Sequence, residues 1–240
     1  MKKKWSALTL KLLAIIAMTV DHTALVFVPE GSLLYYFMRM FGRLTAPIMA
    51  FLIAEGFQHT RSRKKYLLRL AAFALISQPF YYMMNFGQLP DSPLNMIGNW
   101  NVMLSLALAL LCLIVLESKL PETPRLILVA VLISLGTFAD WSLMIPVWTV
   151  IFYVFRKDFQ KKAILFAVAS VVLQTVIFAK YFDSFLLFTF HYGTLLALIP
   201  ISLYNGERGG VRHKNLNRWF FYVYYPAHML VLLVIRAMLI

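Results

Sequence analysis

The feature that most constrains this chain is a succession of apolar runs, each near the length of a bilayer and each followed by a short polar break. Residues 6–28, 33–57, 66–86, 98–116, 125–139, 141–155, 162–180, 184–204 and 219–239 form these runs. A helix needs roughly 20 residues to cross a hydrocarbon core of about 30 Å, and inside that core it must satisfy its own backbone groups. The expected fold is therefore all-α and integral to the membrane, a single polytopic helical bundle over residues 1–240 with about nine spans. The fifth and sixth runs are short and joined only by Ala139, Asp140 and Trp141, which makes them a thin hairpin or a re-entrant pair.

Composition agrees, since 61% of the 240 residues are hydrophobic and the mean hydropathy is +0.75, against an apolar share of about 45–50% in soluble domains. A net charge of +13 would point to nucleic acid in a soluble protein. Here the basic residues fall in alternate loops, so they report topology and not DNA binding. Seventeen of the 23 lysines and arginines lie on the side of the N-terminus, while only Lys180 and Arg236 lie on the other. The positive-inside rule then puts the N-terminus in the cytoplasm and the C-terminus outside. Lys2, Lys3 and Lys4 before an apolar stretch imitate a signal peptide, but no A-x-A-like site follows and the run carries charge, so it reads as a retained first span. The lone Cys112 excludes an intramolecular disulfide and a C-x-x-C metal site, and no metal is expected. No internal repeat is visible, which argues against transporter folds built from matched halves.

Against this background the polar residues inside the runs stand out. Asp21 and His22 are adjacent in the first run, where each ionisable group costs roughly 2.5–3.5 kcal/mol on insertion scales. A carboxylate beside an imidazole can orient it and raise its basicity. Lys11 and His22 are eleven positions apart, which is three turns plus about 20°, so both leave the helix on one face about 16 Å apart along it.

Depth along each run sorts the other groups into two layers. Arg39 and Arg43, one turn apart, lie with Asp21 and His22 in the outer half, together with Gln78 before Pro79, Asn101, Asp140 and His191. These eight are expected to line one outward cavity, with Gln78, Asp140 and His191 facing a substrate. The inner layer holds Lys11, Glu55, Arg69, Tyr204, Asn205 and Arg208, with the basic loop at 61–65 beside them. Clustered cations of this kind suit a polyanionic cofactor. The simpler expectation is helix pairing, with Asp21 or Glu55 neutralising Arg39, Arg43 or Arg69, and with Asn101 and His191 as satisfied packing residues. His228, just after Pro226, is expected to bond backbone near that kink.

The segments LKLLAIIAMTVDH, RMFGRLTAPIMAFLIAEGFQHTRSRKKYLLRLAAFALISQPF, NVMLSL, FADW, YNGERG and FFYVYYPAHML, in that order, resemble the TraX family, whose named member acetylates the N-terminus of conjugative pilin. Lys11 with ten residues before His22 also resembles the basic-x10-His motif of the wider acetyl-CoA-dependent membrane acyltransferases. The resemblance implies an acetyltransferase of the bacterial inner membrane that takes acetyl-CoA from the cytoplasm and an amine or hydroxyl of a peptide, pilin or glycan as acceptor. It implies His22 with Asp21 as the catalytic pair and Lys11 as its basic companion. Arg39, Arg43 and Asn101 are then candidates for oxyanion stabilisation, and Lys11, Arg69, Glu55, Tyr204, Asn205 and Arg208 for the cofactor. Two rival readings accompany it: a proton-coupled carrier using Asp21, His22, Arg39 and Arg43 as relay and anion site, and a structural membrane scaffold.

Overall fold

The computed structural model describes residues 4–90, 92, 95, 98–179, 189–209 and 214–239. Helices α1 (Ala7–Phe27), α2 (Leu33–Gly42), α3 (Thr45–His59), α4 (Arg63–Phe86), α5 (Val102–Leu116), α6 (Glu122–Leu135), α7 (Met144–Val154), α8 (Phe159–Phe178) and α9 (Lys214–Leu239) follow one another. Tight 3-10 turns lie at Gly136–Phe138 and Phe190–Ala197, and the second runs into a short helix, Leu198–Ser202. Among the described residues the only β pairing is two isolated parallel bridges, Trp5 with Tyr204 and Trp100 with Ala139. Each apolar run contains a helical segment, and residues 184–188 of the eighth lie outside the described residues.

Side chains placed at the helix starts explain where several helices begin. Ser6, Ser32, Ser62, Asn101 and Asp158 each accept a hydrogen bond from a backbone N–H of the first turn that no helical carbonyl can reach. Gly87, at φ +74°, closes α4 in the left-handed region that glycine enters without strain.

Among the described residues, four helical stretches are long and apolar enough to cross a membrane: Ala7–Phe27, Leu33–His59, Phe159–Phe178 and Trp219–Leu239. The protein is thus a helical membrane protein. Helices α5, α6 and α7 have 15, 14 and 11 residues, reaching roughly 16–23 Å against a core of about 30 Å. Helices α6 and α7 are the two short segments that the fifth and sixth runs indicate.

Chain contacts divide the molecule into two compact units. The first comprises residues 1–49, 157–221 and 231–240, and the second residues 50–156 and 222–230. In the first, α1 packs on α2, and the Phe190–Ala197 turn packs on both α2 and α8. Gly42 makes the first of these contacts possible, because a Cβ there would overlap the Asp21 side chain. Gly193 does the same where the turn meets the Met40 carbonyl. In the second unit α5 is the central helix, packed by α4, α6 and α7. Edge-on ring pairs, Phe51 with Phe152 at 5.6 Å and Phe57 with Tyr153 at 5.3 Å, join α3 to α7.

Helix α8 shows the membrane setting in its pattern. Its buried positions are Lys162, Phe166, Ser170 and Gln174, while Ile164, Leu165, Val168, Val171, Val172 and Val176 are exposed. A helix with its polar groups inward and its aliphatic groups outward is suited to lipid and not to water.

Candidate functional site

Helices α1 and α2 place three charges together in the first unit. Arg39 donates from a terminal guanidinium nitrogen to Asp21 Oδ2 at 2.7 Å, and Arg43 donates to Asp21 Oδ1 at 3.2 Å. The two arginines lie one turn apart on α2 and so share a face, as their spacing implies. Arg43 Nε also donates to the Arg39 carbonyl at 3.3 Å. All three groups are nearly withdrawn from solvent, with side-chain exposures of 15% for Arg39, 9% for Arg43 and 13% for Asp21. Aromatic rings wall the cluster. The Arg39 guanidinium lies 5.8 Å from the ring centres of both Tyr35 and Phe190, and that of Arg43 5.2 Å from Phe190. His191, the next residue, is buried and stacked between Phe178 at 3.5 Å and Phe190 at 4.0 Å.

One donor in this cluster stands apart. Arg39 Nε is buried and has no hydrogen-bond partner among the described residues. Buried N–H groups are nearly always paired, so this orphan stands out, as do Arg69 Nε and Arg125 Nε. His22 follows Asp21 on α1 and is half-buried. Both carboxylate oxygens of Asp21 carry arginine hydrogen bonds, and successive residues on a helix diverge by about 100°. The carboxylate therefore serves first to hold the two guanidiniums.

The start of α1 forms a second group in the same unit. The backbone N–H groups of Ala7 and Leu8 donate to the carbonyls of Glu207 and Arg208, and Trp5 and Asn205 exchange with the same loop. Asn205 shapes that loop: its Oδ1 accepts from the Glu207 N–H at 2.9 Å and its Nδ2 donates to Glu207 Oε2 at 3.1 Å. Gly206 and Gly209 take φ +84° and +82°, and a Cβ at Gly209 would overlap Ser6 and Leu8. Lys11 is half-buried one turn further along α1, and Arg208 is exposed on the loop. The inner-layer residues Lys11, Tyr204, Asn205 and Arg208 thus belong to one end of the first unit.

The second unit holds the remaining candidates. Gln78 Nε2 donates to the Asn99 carbonyl at 2.8 Å, and its Oε1 accepts from both the Asn101 N–H at 3.0 Å and Asn101 Nδ2 at 2.7 Å. Asn101 also donates to the Ala74 carbonyl at 2.7 Å and accepts from the Met103 N–H at 3.0 Å. Asp140 takes the Trp141 N–H on its carboxylate, while its carbonyl accepts from Ser105 Oγ at 2.6 Å. Trp141 and Ser142 both have positive φ, +64° and +50°, an uncommon backbone for side-chain-bearing residues. Arg69 on α4 lies 5.6 Å from the Tyr66 ring and 5.8 Å from the Tyr222 ring, and its Nε is buried without a hydrogen-bond partner. Glu55 is half-buried on α3. His228 bonds the Tyr224 carbonyl at 2.9 Å, the backbone role expected near Pro226.

The family model described as TraX protein matches residues 6–236. The chain belongs to the TraX family. It is also 34% identical over 233 residues, 95% of this chain and 94% of the relative, to the probable fimbrial assembly protein FimC, serogroup H1, of Dichelobacter nodosus. No solved structure matches.

With the family in place, its motif segments acquire physical reasons. In FGR, Gly42 lets α1 and α2 touch and Arg43 binds Asp21 of the DH pair. In YNGERG, the asparagine and two glycines build the loop that satisfies the first amides of α1. In NVMLSL, Asn101 caps α5 and clasps α4, and Ser105 anchors Asp140 of FADW. The outer-layer residues thus form two groups in this TraX chain, Asp21, Arg39, Arg43 and His191 in one unit, and Gln78, Asn101 and Asp140 in the other. Sequence reasoning passed over Gly42, Gly193 and the pair Ser170 and Gln174. The last two were readable, as polar residues four apart in an apolar run.

Proposed function

We propose that this TraX-family protein is an integral membrane acetyltransferase of the bacterial cytoplasmic membrane, with its N-terminus inside. It moves the acetyl group of cytoplasmic acetyl-CoA to an amine or hydroxyl of a fimbrial subunit or other acceptor near the outer face. The observation that carries this reading is the unpaired Arg39 Nε donor, held in an aromatic enclosure by the Asp21–Arg43 pair. Acyl transfer develops negative charge on the thioester oxygen, and a preorganised donor in a dry site is what stabilises it.

In this mechanism His22 takes the proton of the acceptor amine or hydroxyl as its lone pair attacks the thioester carbon. The carbonyl oxygen becomes an oxyanion and is received by Arg39 and Arg43. Collapse of the tetrahedral adduct expels the thiolate, which His22 reprotonates, and the acceptor leaves acetylated. Asp21 keeps both guanidiniums aimed. Lys11 and Arg208 in the first unit, and separately Arg69 in the second, whose guanidinium two tyrosine rings hold, each have the charge that suits a polyanionic donor. Kinship with a fimbrial assembly protein supports a pilus subunit as acceptor.

The test is purified protein in lipid vesicles given acetyl-CoA labelled in the acetyl group and a fimbrial-subunit peptide. The reading requires label on the peptide together with stoichiometric release of free thiol. Uptake of a solute into the vesicles with acetyl-CoA left intact would replace it with the carrier reading.

A further inference from the structure

The buried face of α8 plays no part in the site above, yet it holds two buried polar atoms, Ser170 Oγ and Gln174 Oε1, with no hydrogen-bond partner among the described residues. Ser170 is 0% exposed and its Oγ has no hydrogen bond. Helical hydroxyls usually donate to the carbonyl one turn back, as Thr175 does to Val171 at 2.7 Å and Ser134 to Ala130 at 3.0 Å. Ser170 does not. Gln174, one turn further and 1% exposed, donates from Nε2 to Thr194 Oγ1 at 2.7 Å, while its Oε1 accepts from nothing. A buried amide oxygen and hydroxyl left open cost free energy that only an outside partner can return.

The two open groups are of opposite sense. A hydroxyl can donate to an amide carbonyl, and a carboxamide oxygen can accept from an amide N–H. Four residues of helix separate them by about 6 Å, close to the repeat of two secondary amides joined by a two-carbon unit. The same face begins at Lys162, beside the basic 156–162 loop, and passes Phe166. It ends at Thr194, three residues beyond His191, on the turn whose Phe190 walls Arg39 and Arg43. From Lys162 to Gln174 the face runs about 18 Å, comparable to an extended phosphopantetheine chain.

We propose that this face of α8 is the track on which the pantetheine arm of the donor lies, with Ser170 Oγ and Gln174 Oε1 hydrogen-bonding its two amides. This rests on the acetyl-CoA reading above. An extended peptide acceptor has amides too, but the polar face begins at the basic end, at the buried Lys162, which the charge pattern assigns to the cytoplasm, where the donor is made.

Calorimetric titration of the purified full chain with coenzyme A and with adenosine 3′,5′-bisphosphate, which lacks the arm, tests it. Ser170→Ala and Gln174→Leu should each weaken coenzyme A by about tenfold, leave the bisphosphate unchanged, and lose little with Ser170→Thr. Unchanged coenzyme A affinity, or equal weakening of both ligands, overturns the track. Unchanged coenzyme A affinity with a raised KM for the peptide gives the face to the acceptor and also overturns it. Failure of the unaltered protein to bind coenzyme A would instead remove the donor reading beneath it.

Discussion

Two polar clusters lie within this membrane protein, and they differ in how fully they are satisfied. The amide cluster of Gln78 and Asn101 is closed: Asn101 alone makes bonds to Gln78, Ala74 and Met103, and Gln78 to Asn99 and Asn101. The charged cluster of Asp21, Arg39 and Arg43 sets two guanidiniums on one carboxylate and leaves Arg39 Nε open. A saturated network rigidifies and has no bond left to offer, whereas a partly open one costs stability and is retained where a ligand completes it. Under the proposed function the open cluster serves the reaction and the closed one the fold.

Removing the shared carboxylate should break the charged cluster with the largest effect. Asp21→Ala leaves two buried cations against each other, and the expected loss is about 3–5 kcal/mol, seen as a large fall in thermal stability of the detergent-purified protein. Asp21→Asn should lose less, because an amide oxygen still accepts one bond. If Asp21→Ala is as stable as the unaltered protein, the cluster does not organise α1 against α2.

Next in size is the amide cluster. Asn101→Ala removes the α5 cap, leaving the Met103 N–H unpaired, and the side-chain clasp on Gln78 and Ala74, for about 2–3 kcal/mol. Acetyl transfer per folded molecule should stay within about twofold of the unaltered rate, since a capping loss alone spares the chemistry. A large loss of turnover at full stability would move Asn101 from scaffold to site.

The smallest effect sharpens the comparison at Arg69. Tyr222→Leu removes one of the two rings that hold this guanidinium and should cost about 0.5–1 kcal/mol, with a modest rise in KM for acetyl-CoA and unchanged kcat. An unchanged KM would separate Arg69 from the donor.

Much of this was legible in the sequence, for identifiable reasons. Apolar runs of bilayer length define helices without tertiary information, and an intramembrane Asp must find cations, so Asp21 with Arg39 and Arg43 could be paired from charge and depth. The expectation that Asp21 orients His22 arose from adjacency in sequence; that Asp21 also bonds both arginines of α2 is what the structure adds. Which units the polar residues join was not readable, since depth ranks residues along a helix but does not tell which neighbour it faces. The close approach at Gly42 and the left-handed pair Trp141–Ser142 depend on the packing of segments distant in sequence.

The central claim is that the open donor of Arg39 serves the reaction while the closed amide cluster serves the fold. Arg39→Lys tests it most directly, because lysine keeps a cation for Asp21 but has no Nε–H at that position. The measurement is the rate of labelled acetyl transfer per folded molecule, beside thermal stability. The account predicts a fall of about 100-fold in kcat with stability close to that of the unaltered protein. An Arg39→Lys protein that transfers acetyl groups at the full rate would contradict it.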